Sequence, residues 1–224
     1  MTEAASNYDR KANEAYFTPD WVTSVMMDHL TNTLAFDKDD VFLEPACGDG
    51  CMASLIHDYV PTVIASDKYP DSFLEPLSEM RGDSFKFTME SVDFLETTEI
   101  RLPGRRLNII TNPPYGKGGH LGAKFIRKAL ELTESSYGTV SMLLPMKFDS
   151  GSTRRDIFRD HPAFDCKIVL LDRIRWTNLP QKKAGPTGDH AWFFWDWGRS
   201  PAHDNGVYAP AIKYAVKADH EDES

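Results

Sequence analysis

The sequence predicts an α/β fold, a mostly parallel sheet with helices on both faces, and three observations predict it. From Val41 onward, short β-type runs alternate with helix-compatible stretches, the pattern of parallel strands joined by crossover helices. The first run, Val41-Phe42-Leu43-Glu44, leads straight into the glycine turn Pro45-Ala46-Cys47-Gly48-Asp49-Gly50 and then into a helical segment, a unit with which open sheets bind nucleotide-like ligands. With 224 residues, 41% hydrophobic and 26% charged, the chain has the length and composition of one folded domain and not of a fibrous or wholly disordered protein.

The elements follow in order. Residues 1–16 form a polar arm without the apolar core of a signal peptide, and no apolar run approaches the ~20 residues that span a bilayer, so the expected location is cytoplasmic. Thr18-Pro19-Asp20 reads as a helix start, with Thr18 as N-cap, Pro19 at the first helical position and an acid in the first turn. Val22, Val25, Met26 and Leu30 then line one helical face that should pack on the sheet. Strands are expected near 41–44, 62–66, 85–89, 107–111, 139–144, 167–171 and 191–196, and helices near 51–59, 71–80, 121–135 and 152–160. The domain is placed at 17–200, followed by a C-terminal extension, 201–224, whose acid-rich end from Lys217 reads as a frayed tail.

Lys and Arg number 25 against 34 Asp and Glu, a net charge of −9, so any surface that meets phosphates must be local. Basic residues cluster at Arg101, Arg105 and Arg106, at Lys124, Arg127 and Lys128, at Arg154, Arg155 and Arg159, and at Arg173, Arg175, Lys182 and Lys183. Each cluster alone reads as an ordinary solvated face. Cys47, Cys51 and Cys166 contain no C-x-x-C pair, so reduced thiols and no metal site are expected.

Gly48, Gly50 and Ala53 fit the G-x-G-x-x-G/A pattern in its strand–turn–helix context, which NAD-binding proteins share. Asp67 ends the next apolar run at about the ~20-residue offset of a ribose-binding acid. Asp93 stands where it could accept from an adenine amino group while Phe94 packs the ring. Acids at successive strand ends, Glu44 or Asp49 followed by Asp67 and Asp93, suit a ligand with a positive centre such as a sulfonium better than a pyrophosphate.

The most informative stretch is Asn112-Pro113-Pro114-Tyr115, delivered by the buried run Leu107-Asn108-Ile109-Ile110 to the sheet edge where such folds bind ligands. An amino group on an aromatic ring is a poor nucleophile because its lone pair is delocalised. Two acceptors on its hydrogens, the Asn112 side-chain oxygen and the Pro113 carbonyl, would favour a tetrahedral nitrogen aimed at a methyl donor. The prolines fix φ and bring no N–H to compete, and Tyr115 can stack on the ring. A base in a duplex must leave the stack to reach such a pocket.

These segments resemble the amino-methylating DNA methyltransferases. The resemblance runs through Tyr16-Phe17-Thr18-Pro19, then Glu44 to Gly50, then Asn112 to Tyr115, in the order of the subgroup whose cofactor elements precede the catalytic tetrapeptide. It implies a Rossmann-like class I methyltransferase fold, a seven-stranded mostly parallel sheet with a reversed last strand, and S-adenosyl-L-methionine as cofactor. It also implies that Tyr16, Phe17 and Thr18 meet the methionine end, Asp67 the ribose, and Asp93 with Phe94 the adenine. A tetrapeptide beginning with Asn is more usual for adenine, and DNA is the implied partner. Trp176 is the candidate to pack on the base opposite the tetrapeptide, with a core aromatic as the equal alternative; Trp192 to Trp195 read as a buried strand. Relatives that read DNA sequence carry a large recognition domain, whereas only a short segment follows Trp197, so selection falls to loops such as 177–189, with Lys182 and Lys183, or to a partner.

RNA adenine, the cytosine amino group of DNA and a protein glutamine amide present the same delocalised nitrogen and stay as alternatives. A non-catalytic domain that binds nucleic acid or a nucleotide is the alternative from another class.

Overall fold

The computed structural model describes residues 16–34, 36–69, 92–176, 188–199 and 210–220. A helix, α1 (Asp20–Thr33), precedes the sheet and buries Val22, Val25, Met26 and Leu30, the face its spacing predicts. The sheet then follows as β1 (Val41–Glu44), β2 (Val63–Ala65), β3 (Leu107–Thr111), β4 (Thr139–Pro145), β5 (Phe164–Leu170), β6 (His190–Asp196) and β7 (Ala211–Ala215). Helix α2 (Cys51–Tyr59) links β1 to β2, and α3 (His120–Glu134) links β3 to β4.

The strand order is β2-β1-β3-β4-β6-β5-β7. Every described pairing is parallel except those of β6, which runs antiparallel to both β4 and β5. This is the reversed strand expected at 191–196. Two buried clusters sandwich the sheet. One joins α1 and α2 to Phe42, Ile110, Trp192 and Phe194; the other joins α3 to Leu107, Ile109, Phe193 and Trp195. Strand β6 is buried along its whole length because alternate aromatics feed both clusters. The indole N–H of Trp192 donates to the Val22 carbonyl at 2.8 Å and that of Trp195 to the Ile157 carbonyl at 2.7 Å, so neither buried ring leaves a donor unmet.

Several expectations need correction. Residues 152–160 do not form an α-helix: a six-residue 3-10 turn, Ser152–Ile157, stands there, boxed in by Gly151 and by Pro162, which disfavours helical backbone before it. The extension is not simply a tail. Its Ala211–Ala215 adds β7 to the edge of the sheet beside β5, and His220, beyond Lys217, reaches the Asp28 carboxylate of α1 at 2.7 Å. Strand 167–171 begins earlier, at Phe164, with a register irregularity between Phe164 and Cys166. The expected helix 71–80 and strand 85–89 lie outside the described residues. No described helix is long and apolar enough to cross a membrane.

The α3–β4 turn is tight. Tyr137 has φ 53°, and a Cβ on the following Gly138 would overlap the Leu107 carbonyl oxygen, so backbone passes backbone there. Gly138→Ala is expected to cost about 2 kcal/mol or more and to lower the melting temperature by roughly 4–8 °C, read by thermal denaturation; an unchanged midpoint would contradict this packing.

Candidate active site

The C-terminal ends of β1, β2, β3 and β4 share one edge of the sheet, and the reversed β6 begins there, with His190 in register with Pro145. At the end of β1 the turn holds Gly48 at φ 53° and Gly50 at φ 79°, left-handed backbone that glycine adopts at low cost. The Phe17 ring lies 3.4 Å from where a Gly48 Cβ would stand, so the N-terminal segment roofs the turn. Pro45 and Cys47 are buried, and Ala46 packs on the α3-side cluster.

Asp67 ties the first two strands together. Its Oδ2 accepts from the Gly48 N–H at 3.0 Å and its Oδ1 from the Tyr69 N–H at 2.8 Å, which fixes the carboxylate and leaves each oxygen a further lone pair. Glu44 is 2% exposed and its Oε2 has no hydrogen-bond partner among the described residues. Burial, followed by repulsion from Asp49 and Asp67, pushes its carboxyl well above the usual range. A buried carboxyl with one oxygen unpaired, beside two other acids, is costly in its charged form unless a cation meets it. The residues present therefore fit a ligand that offers positive charge and ribose hydroxyls beside bare glycine backbone.

The thiols offer no nucleophile. Burial drives the Cys47 thiol far up, with Glu44 and Asp67 adding to the shift, and the Cys51 thiol, exposed at the start of α2, is pushed up to about 12, first by partial desolvation and then by its hydrogen bond to Asp49.

At the end of β3 the Asn112 amide is held on both sides. Its Nδ2 donates to the Tyr16 carbonyl and to Thr18 Oγ1, each at 3.2 Å, and its Oδ1 accepts from the Tyr115 hydroxyl at 2.9 Å. A carbonyl can only accept, so the amide orientation follows from the network. Pro113 is buried and Pro114 half-buried. The Tyr115 carbonyl accepts from Leu121 and Gly122, both at 3.1 Å, which anchors the tetrapeptide to the start of α3. This corrects the helix-cap reading of Thr18. Helix α1 starts at Asp20 with Pro19 in the cap position and no side-chain cap, because the Thr18 hydroxyl serves Asn112 instead.

Asp93 and Phe94 are placed structurally. Asp93 Oδ1 caps the 3-10 turn Phe94–Glu96 through the Leu95 N–H at 3.2 Å, and Oδ2 pairs with Lys68 at 2.7 Å, which holds the carboxyl below its usual range. Phe94 is buried, with its ring 5.2 Å from that of Phe125. Trp176 is buried in the α1-side cluster yet borders the site, its ring 5.4 Å from Tyr16. His190 stands edge-on to Trp176 at 5.3 Å and lies 6.2 Å from the Tyr115 ring. The sequence reading passed over His190; the available signal was a polar residue opening a strand whose interior, Ala191 to Trp195, is apolar. Lys182 and Lys183 lie outside the described residues.

The basic clusters are largely neutralised. Arg127 pairs with Asp156, Lys128 with Glu131, Arg155 and Arg159 with Asp160, and Arg173 with Asp189. Arg105 and Arg106 line a cleft of about 790 Å³ that includes residues at the start of β3, the end of the strand remote from the glycine turn. Both arginines are spent on the fold there, Arg105 on the Asp39 carbonyl and Thr62, Arg106 on Asp40 at 2.5 Å.

At the level of sequence, no family model and no curated protein matches the chain. Among solved structures, similar folds include a protein from Pyrococcus horikoshii provisionally named an RNA methyltransferase, with a TM-score of 0.62, 21% identity, and 82% of this chain covering 87% of that one. The 23S rRNA methyltransferase ErmE follows with 0.52 and 19%, covering 80% and 69% of the two chains. The methyltransferase subunit of a type I restriction-modification system from Streptococcus thermophilus gives 0.60 and 12%, with 93% of this chain spanning 49% of the subunit. The chain thus has the Rossmann-like class I methyltransferase fold, with its glycine turn and its Asn-Pro-Pro-Tyr segment side by side at the C-terminal edge of the parallel strands.

Proposed function

We propose that the chain transfers a methyl group from S-adenosyl-L-methionine to the exocyclic amino group of adenine in DNA. The observation that carries this reading is the fixed Asn112 amide. Its nitrogen is turned to Tyr16 and Thr18, so its oxygen faces Tyr115, and one lone pair of that oxygen stays available to a substrate N–H. An acceptor held in advance costs no reorganisation when the nitrogen pyramidalises.

The cofactor supplies an electrophilic methyl on a sulfonium. Glu44 and the acids near it would face that positive charge, Asp67 would accept from the ribose hydroxyls, and Gly48 and Gly50 would let the ligand lie on bare backbone beneath Phe17. Tyr115 and Trp176 would hold the base, which must be flipped out or single-stranded to enter. No thiolate takes part, so transfer is direct. Adenine in DNA is favoured over its alternatives by the resemblance of Tyr16 to Pro19 and of Asn112 to Tyr115 to the DNA enzymes. The similar folds named for rRNA and for a restriction-modification subunit agree with a nucleic-acid substrate.

Two assays test this. S-adenosylmethionine should raise the melting temperature and NAD should not. Labelled methyl from S-adenosylmethionine should enter unmethylated DNA when DNA, total RNA and protein extract are offered in parallel. Label confined to RNA or protein would replace the substrate, and stabilisation by NAD alone would sink the cofactor reading.

A further inference from the structure

His190 sits opposite Asn112 in a closed circuit of contacts. From the Asn112 oxygen the path runs to the Tyr115 hydroxyl at 2.9 Å, from the Tyr115 ring to His190 at 6.2 Å, and from His190 to Trp176 at 5.3 Å. It continues from Trp176 to Tyr16 at 5.4 Å and returns from the Tyr16 carbonyl to Asn112 Nδ2 at 3.2 Å. Beside Asn112 itself, the members are two tyrosines, one tryptophan and one histidine. The histidine is the only one of them that can take up a proton near neutral pH.

The protonation of this imidazole follows from its partners. Nδ1 lies 3.2 Å from the Gly188 carbonyl, which can only accept, so Nδ1 carries the hydrogen and Nε2 of the neutral ring bears a lone pair. Nε2 has no hydrogen-bond partner among the described residues. The residue is 7% exposed and its ring stands beside the site, between Trp176 and Tyr115.

We propose that His190 Nε2 is the general base that removes the proton shed by the substrate amino group as it is methylated. This rests on the amino-methylation reading above and deepens it. As the amino nitrogen uses its lone pair to bond the methyl carbon, the bond from that carbon to the sulfonium would break and its electron pair return to sulfur, leaving a neutral thioether, and the nitrogen becomes a cation bearing both of its original hydrogens. One N–H bond then breaks, its electron pair returns to the nitrogen, and the proton passes to Nε2, giving a neutral methylamino group and an imidazolium that later releases the proton to solvent. Asn112 cannot do this, because an amide oxygen is too weak a base at this pH.

The charges around the ring suit the role. Asp189 is adjacent in the chain and is paired with Arg173 at 2.9 Å; β4 contributes Pro145, and Trp176 and Tyr115 bring their aromatic rings to it. Burial, partly offset by the Gly188 carbonyl and Asp189, lowers the imidazole below 6.5, so it is neutral and ready to accept at pH 7. Once protonated, the imidazolium could neither accept a proton nor sit easily beside a cationic methyl donor.

The test is the single-turnover methyl-transfer rate from pH 5 to 8 for wild-type protein and for His190→Ala and His190→Gln, with folding and cofactor binding followed by thermal shift. Wild type is expected to lose rate on acidification through a single group below 6.5. Both variants should bind cofactor, run about 100-fold slower and lack that acid limb, and added imidazole should restore part of the rate to His190→Ala. In wild-type protein, NMR titration of the His190 imidazole should give the midpoint of the limb, a readout that stands even where a variant does not fold. A variant with unchanged rate, a retained limb, a folded His190→Ala that imidazole does not rescue, or a mismatched midpoint overturns the proposal while leaving the methyltransferase reading intact. Wild-type protein that methylates no substrate overturns both.

Discussion

Asn112→Ala is expected to lower the methyl-transfer rate about 10²–10³-fold, the usual cost of removing one preorganised polar group from a charge-developing site. The loss has two parts that can be separated. Alanine removes the Oδ1 acceptor and frees the Tyr115 hydroxyl, which acts on the chemical step. It also removes the Nδ2 bonds to Tyr16 and Thr18, which tether the segment whose Phe17 roofs the glycine turn. Cofactor binding should therefore weaken slightly, while the rate at saturating cofactor collapses. Asn112→Asp retains acceptors but places carboxylate oxygens against the Tyr16 carbonyl and the Thr18 oxygen, so it should fall between the two. Quantified label transfer and thermal shift check each part; an alanine variant within a few-fold of wild type would remove Asn112 from the mechanism.

Glu44→Gln should act in opposite directions on the empty and the loaded protein. The Glu44 carboxyl is raised above its ordinary 4.5 in the folded state, so the folded protein retains a proton that the unfolded chain releases. That contribution to stability is fully present below about 4.5 and is lost as the pH rises towards the folded-state value. Glutamine carries no such penalty. Without cofactor, the variant should melt a few degrees above wild type at pH 7, with the difference vanishing as the pH falls towards 4.5. With S-adenosylmethionine the order should reverse, because the variant offers no negative charge to the ligand; its Kd should rise about tenfold or more. A variant that binds cofactor as tightly as wild type would show that Glu44 does not face the positive centre.

Local pattern made some of this molecule readable and non-local bonding hid the rest. The helix Cys51–Tyr59 matches its expected span, because a glycine turn before it and Val60-Pro61 after it mark both ends. The aromatic strand 191–196 was legible because burial on both faces leaves no polar alternation to confuse. Strand β7 was not, since Ala211–Ala215 is short and its Ile212 and Tyr214 stay exposed, so it reads like loop. Thr18 had the local form of a helix cap, yet its partner stands 94 residues away. Asp67 was placed correctly as a strand-end acid, but its bond to the Gly48 N–H belongs to the tertiary fold. His190 reads in sequence as the first residue of a core strand; only the reversal of β6 brings it to the edge where Asn112 lies.

The most direct measurement of the central claim is chromatography with mass spectrometry of nucleosides from unmethylated DNA incubated with the protein and S-adenosylmethionine, beside an Asn112→Ala control. The account predicts N6-methyladenine in the wild-type sample and, in the control, formation at a rate lower by about 10²-fold or more. A ring-carbon methyl on cytosine, or equal N6-methyladenine from both proteins, would contradict it.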